Sequence, residues 1–243
     1  MYNIILNMKY FYFFILLATI FFSCDTDDDS NIDIQFRHFI NNESLVLNDL
    51  IYTNQGGEIY SVQRLMYVIS DLKLYCENGD IIHLDNFYFL NLDEINSLTI
   101  NDITVPSNCI SISFTFGFSN INNSSNVYLN ASNNFHNLMF WPDLLGGGYH
   151  YLKLEGKYYN SNQEEQFYNT HTGALNGVDY SFDYNQDISS ENYNTLYIDM
   201  NINNFFNSPI YNFENFGSGI MQNESAQQSI FTNLEDVFSI SVN

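Results

Sequence analysis

The sequence predicts an all-β fold, a β-sandwich-like single domain with one or two short helices. Three observations lead there. The 243 residues hold 19 Tyr and 22 Phe against only six Lys and Arg, and with abundant Ile and Asn this composition favours strands and turns over helices. The apolar residues fall in short runs, several of them strictly alternating, separated by Asn- and Gly-bearing breaks. The length left after a leader, roughly 220 residues, suits one all-β domain with ample material for a core. An apolar fraction of 45% and an aromatic fraction of 17% exclude wholesale disorder.

The chain divides into a leader over 1–23, an acidic tether over 24–31 and the folded domain over 32–243. Lys9 precedes the apolar run Tyr10–Phe22, which ends in Ser23-Cys24. A weakly positive start, a short apolar stretch and a small residue before a cysteine read as a secretory signal. The run is shorter than the roughly 20 residues of a membrane span. Ser23-Cys24 resembles a bacterial lipobox, which makes Cys24 the lipidation site and the membrane the first expected partner. Asp25, Asp27, Asp28 and Asp29 follow, a hydrated stretch resembling the surface-export signal of Bacteroidetes-type lipoproteins. The expected location is the cell envelope, lipid-anchored in the outer membrane, with the leaflet left open.

Within the domain, Ile32–Phe39 is the first predicted strand, ended by Asn41-Asn42-Glu43-Ser44. Leu45–Tyr52 is the second, followed by a turn at Gln55-Gly56-Gly57. Ile59–Gln63 and Leu65–Cys76 come next. Asn78-Gly79 is the strongest hairpin signal and joins Leu65–Cys76 to Ile81–Leu90. Cys109–Phe118 alternates cleanly, with Ile110, Ile112, Phe114, Phe116 and Phe118 on one face and Ser and Thr on the other. Tyr149–Tyr159 alternates too, and Leu196–Ile202 and Val237–Val242 close the set. Ser225–Leu234 places Ala226, Ile230 and Leu234 at helical spacing. Ser119–Asn134 and Gly177–Asn194 read as loops. Cys76 and Cys109 lie in strand-like segments of a chain bound for an oxidising compartment, so a disulfide between them is open, with its geometry unreadable from sequence.

The formal charge of −22 excludes nucleic-acid binding, which needs clustered Lys and Arg. It also argues against adhesion to anionic lipid and reads as a solubilising surface. No nucleophile elbow, HExxH or convincing acid pair is present, so the protein is read as a binding protein and not an enzyme. Gly146-Gly147-Gly148 lacks the Lys-Ser/Thr of a phosphate loop. Three successive glycines are entropically unfavourable and predict positive φ angles or a close backbone approach beside the lone tryptophan, Trp141. Asp179, Asp183 and Asp187 fail the EF-hand template.

Several segments, in order, resemble the MbnP-like family of copper-binding lipoproteins, relatives of the methanotroph copper proteins MopE and CorA. Phe36-Arg37-His38-Phe39 resembles the family's opening strand. Tyr52-Thr53-Asn54-Gln55-Gly56-Gly57-Glu58-Ile59-Tyr60-Ser61-Val62 resembles its "YTNxxGxxYSV" segment. Leu65–Leu72 resembles its "LxYxISDL" strand, and Ser113-Phe114-Thr115-Phe116-Gly117 its "SFTFG" strand. The tryptophan–glycine segment Met139–Gly156 and the "HxG" run His171-Thr172-Gly173 follow. Together these cover most of the domain.

The resemblance implies a cuprous ion held by two histidines beside a tryptophan oxidised to kynurenine, by an oxidising partner of the dihaem peroxidase class. Neutral imidazole suits copper, and an aryl amine supplies a nitrogen lone pair that an indole lacks. Trp141 is then the residue for modification and His171 the first imidazole. The MopE pattern has a histidine two residues after the tryptophan, where this chain has Asp143. His150, His136 and His38 remain as alternatives for the second ligand. Indoles also bury well as plain core residues, and Met139 is a soft thioether that also packs well. The expected function is copper binding for scavenging, storage or delivery. The alternative is a metal-free surface lipoprotein module that binds a glycan or protein partner through exposed tyrosines.

Overall fold

The computed structural model describes residues 29–106, 109–119, 122–188 and 193–243. The leader, Cys24 and the tether up to residue 28 lie outside them. The chain is mostly β, built as two sheets packed face to face. The first sheet holds β14 (Phe238–Val242), β13 (Thr195–Asn201) and β1 (Asp29–Ile40) in that order, with β2 (Glu43–Ser44) and β8 (Thr99–Pro106) both pairing β1. β1 and β13 run parallel, from Asp33↔Thr195 to Phe39↔Asn201. β1 starts three residues earlier than the alternation predicts. Asp29, Ser30 and Asn31, assigned to the tether, are ladder residues opposite Pro106, Val105 and Thr104.

The larger sheet is organised around β5 (Arg64–Cys76). One edge of β5 pairs β7 (Phe87–Asn91) and β6 (Ile81–His83). The other edge pairs β10 (Leu152–Tyr159) along its first half and β9 (Cys109–Phe116) along its second. β12 (Phe182–Asp187) adds to β9, β11 (Glu165–Thr172) to β10, and β3 (Tyr52–Thr53) and β4 (Ile59–Tyr60) complete the sheet. β5 is buried on both faces from Leu65 to Ser70, which is why that stretch reads as a nearly continuous apolar run. Cys76 and Cys109 face each other in the β5–β9 ladder and are bonded, with an S–S distance of 1.97 Å.

Among the described residues there are three short α-helices: α1 (Phe135–Met139), α2 (Phe213–Phe216) and α3 (Glu224–Thr232). α3 matches the predicted helix and is capped by the Asn223 side chain, which accepts from the Ala226 N–H at 3.1 Å. Three further expectations fail. Predicted as one strand, Ile81–Leu90 is broken into β6 and β7 at residues 84–86. Leu45–Tyr52 forms no ladder before Tyr52; Leu45 and Leu47 pack half-buried against the core, and the Val46 N–H is satisfied by the Tyr52 hydroxyl at 2.7 Å. The predicted loop Gly177–Asn194 contains β12, which pairs with β9 from Phe182↔Phe116 to Asp187↔Ser111.

The main core lies between the sheets and includes Ile34 and Phe36 of β1, Ile198 of β13, Leu65 and Tyr67 of β5, and Leu154 of β10. A second core lies on the outer face of the larger sheet. Met66, Val68 and Phe89 point into it and are covered by Phe118, Phe135, Met139, Trp141, Tyr149 and Tyr151. The covering segment leaves and rejoins the sheet at one point. Val68 donates to Tyr151 O at 3.0 Å and accepts from Gly117 N–H at 2.9 Å, so residues 118–150 form an excursion anchored at both ends to the same residue of β5.

Candidate metal centre

The excursion ends in a small hairpin that presents Trp141 and His150. Trp141 N–H donates to Gly148 O at 2.9 Å, His150 N–H donates to Met139 O at 2.7 Å, and Phe140 bridges Tyr149. The loop between is the glycine run, with φ of 129°, 73° and 90° at Gly146, Gly147 and Gly148, as a run of glycines predicts. A Cβ at Gly147 would lie 2.4 Å from Ser125 Oγ, and one at Gly148 2.4 Å from Asn123 Oδ1. That closeness lets residues 123–125 clamp the hairpin: Ser125 Oγ accepts from Gly148 N–H at 2.9 Å, and Asn123 Oδ1 accepts from Tyr149 N–H at 2.8 Å. Asp143, at the position where the related pattern has a histidine, accepts from Ser125 Oγ at 2.6 Å and is exposed. It belongs to this clamp.

Trp141 is fully buried. Its ring meets that of His150 edge to face at 4.7 Å, and His150 in turn meets His171 of β11 edge to face at 5.2 Å. Gly173 completes the arrangement. A Cβ there would lie 2.8 Å from Trp141 Cδ2 and 2.9 Å from Cε3, so the strand backbone rests against the indole. The His171-Thr172-Gly173 spacing thus has a physical reason: the histidine faces the site and the glycine two residues on makes room for the ring. Gly173→Ala is expected to displace the indole and destabilise the fold by about 1–3 kcal/mol; an unchanged urea midpoint and unchanged Trp141 fluorescence would contradict this packing.

Each imidazole is held through one ring nitrogen. His150 Nδ1 lies 3.0 Å from Met139 O; a carbonyl only accepts, so Nδ1 carries the proton and Nε2 the lone pair. His171 Nε2–H donates to Glu155 Oε1 at 2.8 Å. The other oxygen of Glu155 accepts from Arg64 Nη1 at 2.9 Å. A carbonyl or carboxylate behind each ring is the usual support of a metal-ligating histidine. Burial, with smaller contributions from the charges of Lys153 and His171, pushes His150 down to about 2, so its ring is neutral and able to ligate at physiological pH. The hydrogen bond from His171, offset in part by burial, holds Glu155 below the usual carboxylate range.

Four buried side-chain atoms have no hydrogen-bond partner among the described residues: Trp141 Nε1, His150 Nε2, Thr172 Oγ1 and Gln227 Oε1. Gln227 is tied to the same place, its Nε2 donating to His171 O at 2.7 Å. An unsatisfied buried polar group costs about 1–3 kcal/mol, and two of the four, Trp141 Nε1 and His150 Nε2, belong to rings in direct contact, which points to a ligand there. No group of three or more His, Cys, Asp or Glu gathers at metal-holding distance among the described residues. His150 and His171 beside an aromatic ring would offer imidazole nitrogen, which suits an ion of low coordination number better than a hard, oxygen-seeking one.

Two predicted ligands lie elsewhere. His38 is on β1, in the opposite sheet, and its Nε2 hydrogen-bonds the Tyr67 hydroxyl at 2.9 Å. Tyr67 faces the inter-sheet core, whereas Trp141 is on the outer face of the larger sheet. His136 on α1 hydrogen-bonds the Tyr149 hydroxyl at 3.1 Å and packs on Phe140. Successive residues of an extended ladder face opposite ways, so the Phe140–Tyr149 side is not the Trp141–His150 side. Sequence reasoning did not anticipate Glu155, Lys153, Gln227 or the Met139 carbonyl, because each acts through a strand register or a backbone atom.

His38 carries a consequence for acid stability. Burial pushes its imidazole down from 6.5 to about 4. The unfolded chain therefore takes up a proton that the folded chain refuses. The contribution of neutral His38 is complete above about pH 6.5 and declines as pH falls toward 4. Urea midpoints of the wild type and His38→Gln should diverge across that window; parallel curves would refute the assignment.

The MbnP family profile matches residues 29–223. Among solved structures, MbnP from Methylosinus trichosporium superposes with a TM-score of 0.65 at 9% identity, covering 88% of this chain and 99% of that one. At that identity the likeness speaks to the fold. No curated protein sequence matches. The profile spans the larger part of the chain, from the first residue of β1 to the cap of α3, and the chain belongs to the MbnP family.

Proposed function

We propose that this protein binds copper in the cell envelope, holding a cuprous ion between His150 Nε2 and His171 Nδ1 beside Trp141, for scavenging, storage or delivery. One observation carries the reading. His150 Nε2 is buried and unpartnered, on a ring held by Met139 O and packed between Trp141 and His171. Neutral imidazole nitrogen is a good copper donor, and the family assignment agrees with this chemistry. Oxidation of Trp141 to kynurenine would add an aryl amine to the two imidazoles, in a place where the indole Nε1 has no partner. A dihaem peroxidase is the class of partner suited to that oxidation. A lipid on Cys24, followed by the acidic run from Asp25, would tether the domain to the outer membrane.

Purified mature protein is expected to retain close to one copper per chain after desalting, and Trp141→Phe to retain less. Equal retention by a variant lacking all five histidines would refute the proposal.

A further inference from the structure

We infer that Lys153 makes the His150–His171 site selective for a soft monovalent cation over divalent ones. The inference rests on the two-imidazole reading above. Lys153 is directly opposite His171 in the β10–β11 ladder, and cross-strand partners project from the same face. Its Nζ donates to Leu138 O, the carbonyl next in sequence to the Met139 carbonyl that holds His150. The ammonium is thus fixed to the segment that carries one imidazole and stands beside the strand residue that carries the other.

Glu155 acts on Lys153 but offsets it only in part. Glu155 is shared between His171 and Arg64, so that carboxylate already faces a guanidinium. Among the described residues Lys153 forms no salt bridge. Imidazole ligates as the neutral ring and so brings no charge to offset an incoming ion. The placement is notable in a chain with 28 acidic and only six basic residues, where a carboxylate beside a cation site would be the easier composition. A divalent ion in the site is repelled by Lys153 twice as strongly as a monovalent one. At an effective dielectric of about 20, one unit of charge roughly 6 to 12 Å from a cation is worth about tenfold to a hundredfold in binding constant.

The test is titration of the mature chain with silver(I), a redox-inert stand-in for copper(I), and with zinc(II). The wild type should bind silver and discriminate against zinc. Lys153→Gln removes the charge while its amide can still donate to Leu138 O. It should gain about tenfold or more in zinc affinity, with silver affinity changing far less. Lys153→Met, which keeps the packing of the stem, should do the same, and Lys153→Arg should retain the wild-type ratio. An unchanged zinc-to-silver ratio in both charge-free variants would overturn the role of Lys153. Silver binding indifferent to His150→Ala would instead overturn the two-imidazole reading, and the selectivity inference with it.

Discussion

Replacing His150 by alanine is expected to lower copper(I) affinity by about a hundredfold or more, since loss of an outer-shell partner alone typically costs tenfold to a hundredfold. Competition with a chromophoric copper(I) chelator measures it. The fold should survive. His150 is bound through its own ring to Met139 O, while its other nitrogen is buried without a partner, so truncation removes an unsatisfied group along with a hydrogen bond. The urea midpoint of the metal-free protein should therefore move little while metal affinity collapses. A variant that binds copper as tightly as the wild type would remove His150 from the site. One that loses copper together with its fold would show that the ring is a packing residue.

The second large effect is structural. Gly156→Ala is expected to cost about 4 kcal/mol or more and to leave most of the chain unfolded. A Cβ at this position in β10 would lie 1.9 Å from Ser61 O and 2.9 Å from Tyr168 Cε1. Neither neighbour can yield cheaply. Ser61 O accepts the Tyr168 hydroxyl at 2.9 Å, and Ser61 N–H donates to Lys157 O at 2.8 Å. The same strand carries Lys153 and Glu155 and pairs with the strand of His171, so the metal site should go with it. Gly219, where an added Cβ meets nothing within 4 Å, is the matched control, and Gly219→Ala should be close to neutral. Comparable midpoints for the two variants would contradict this account of β10.

Particular residues show which parts of this fold are legible in sequence. The alternation of Cys109–Phe116 and the continuous apolar run of β5 report directly on strands with one and two covered faces. The glycine run announced its positive φ angles. β12 escaped detection because Phe182-Asp183-Tyr184-Asn185-Gln186-Asp187 buries only Tyr184 and gains its strand character from pairing with β9. β8 was missed for a similar reason: among the described residues it pairs β1 alone, and Asn101-Asp102 in its middle reads as a turn.

In the site, Trp141, His150 and His171 were legible as residue types in a resembling pattern, but their meeting was not. It depends on the excursion rejoining the sheet at Val68 and on the register that sets Lys153 against His171. His38 and His136 carried the same chemical promise. They are separated from Trp141 by which face of a strand or hairpin they occupy, a matter of topology that no local spacing encodes.

X-ray absorption at the copper edge of the loaded mature protein tests the central claim most directly. Two imidazole nitrogens per copper, lost in the His150→Ala/His171→Ala double variant, is the result predicted. A copper shell of oxygen donors, or one unchanged by that double substitution, would contradict it.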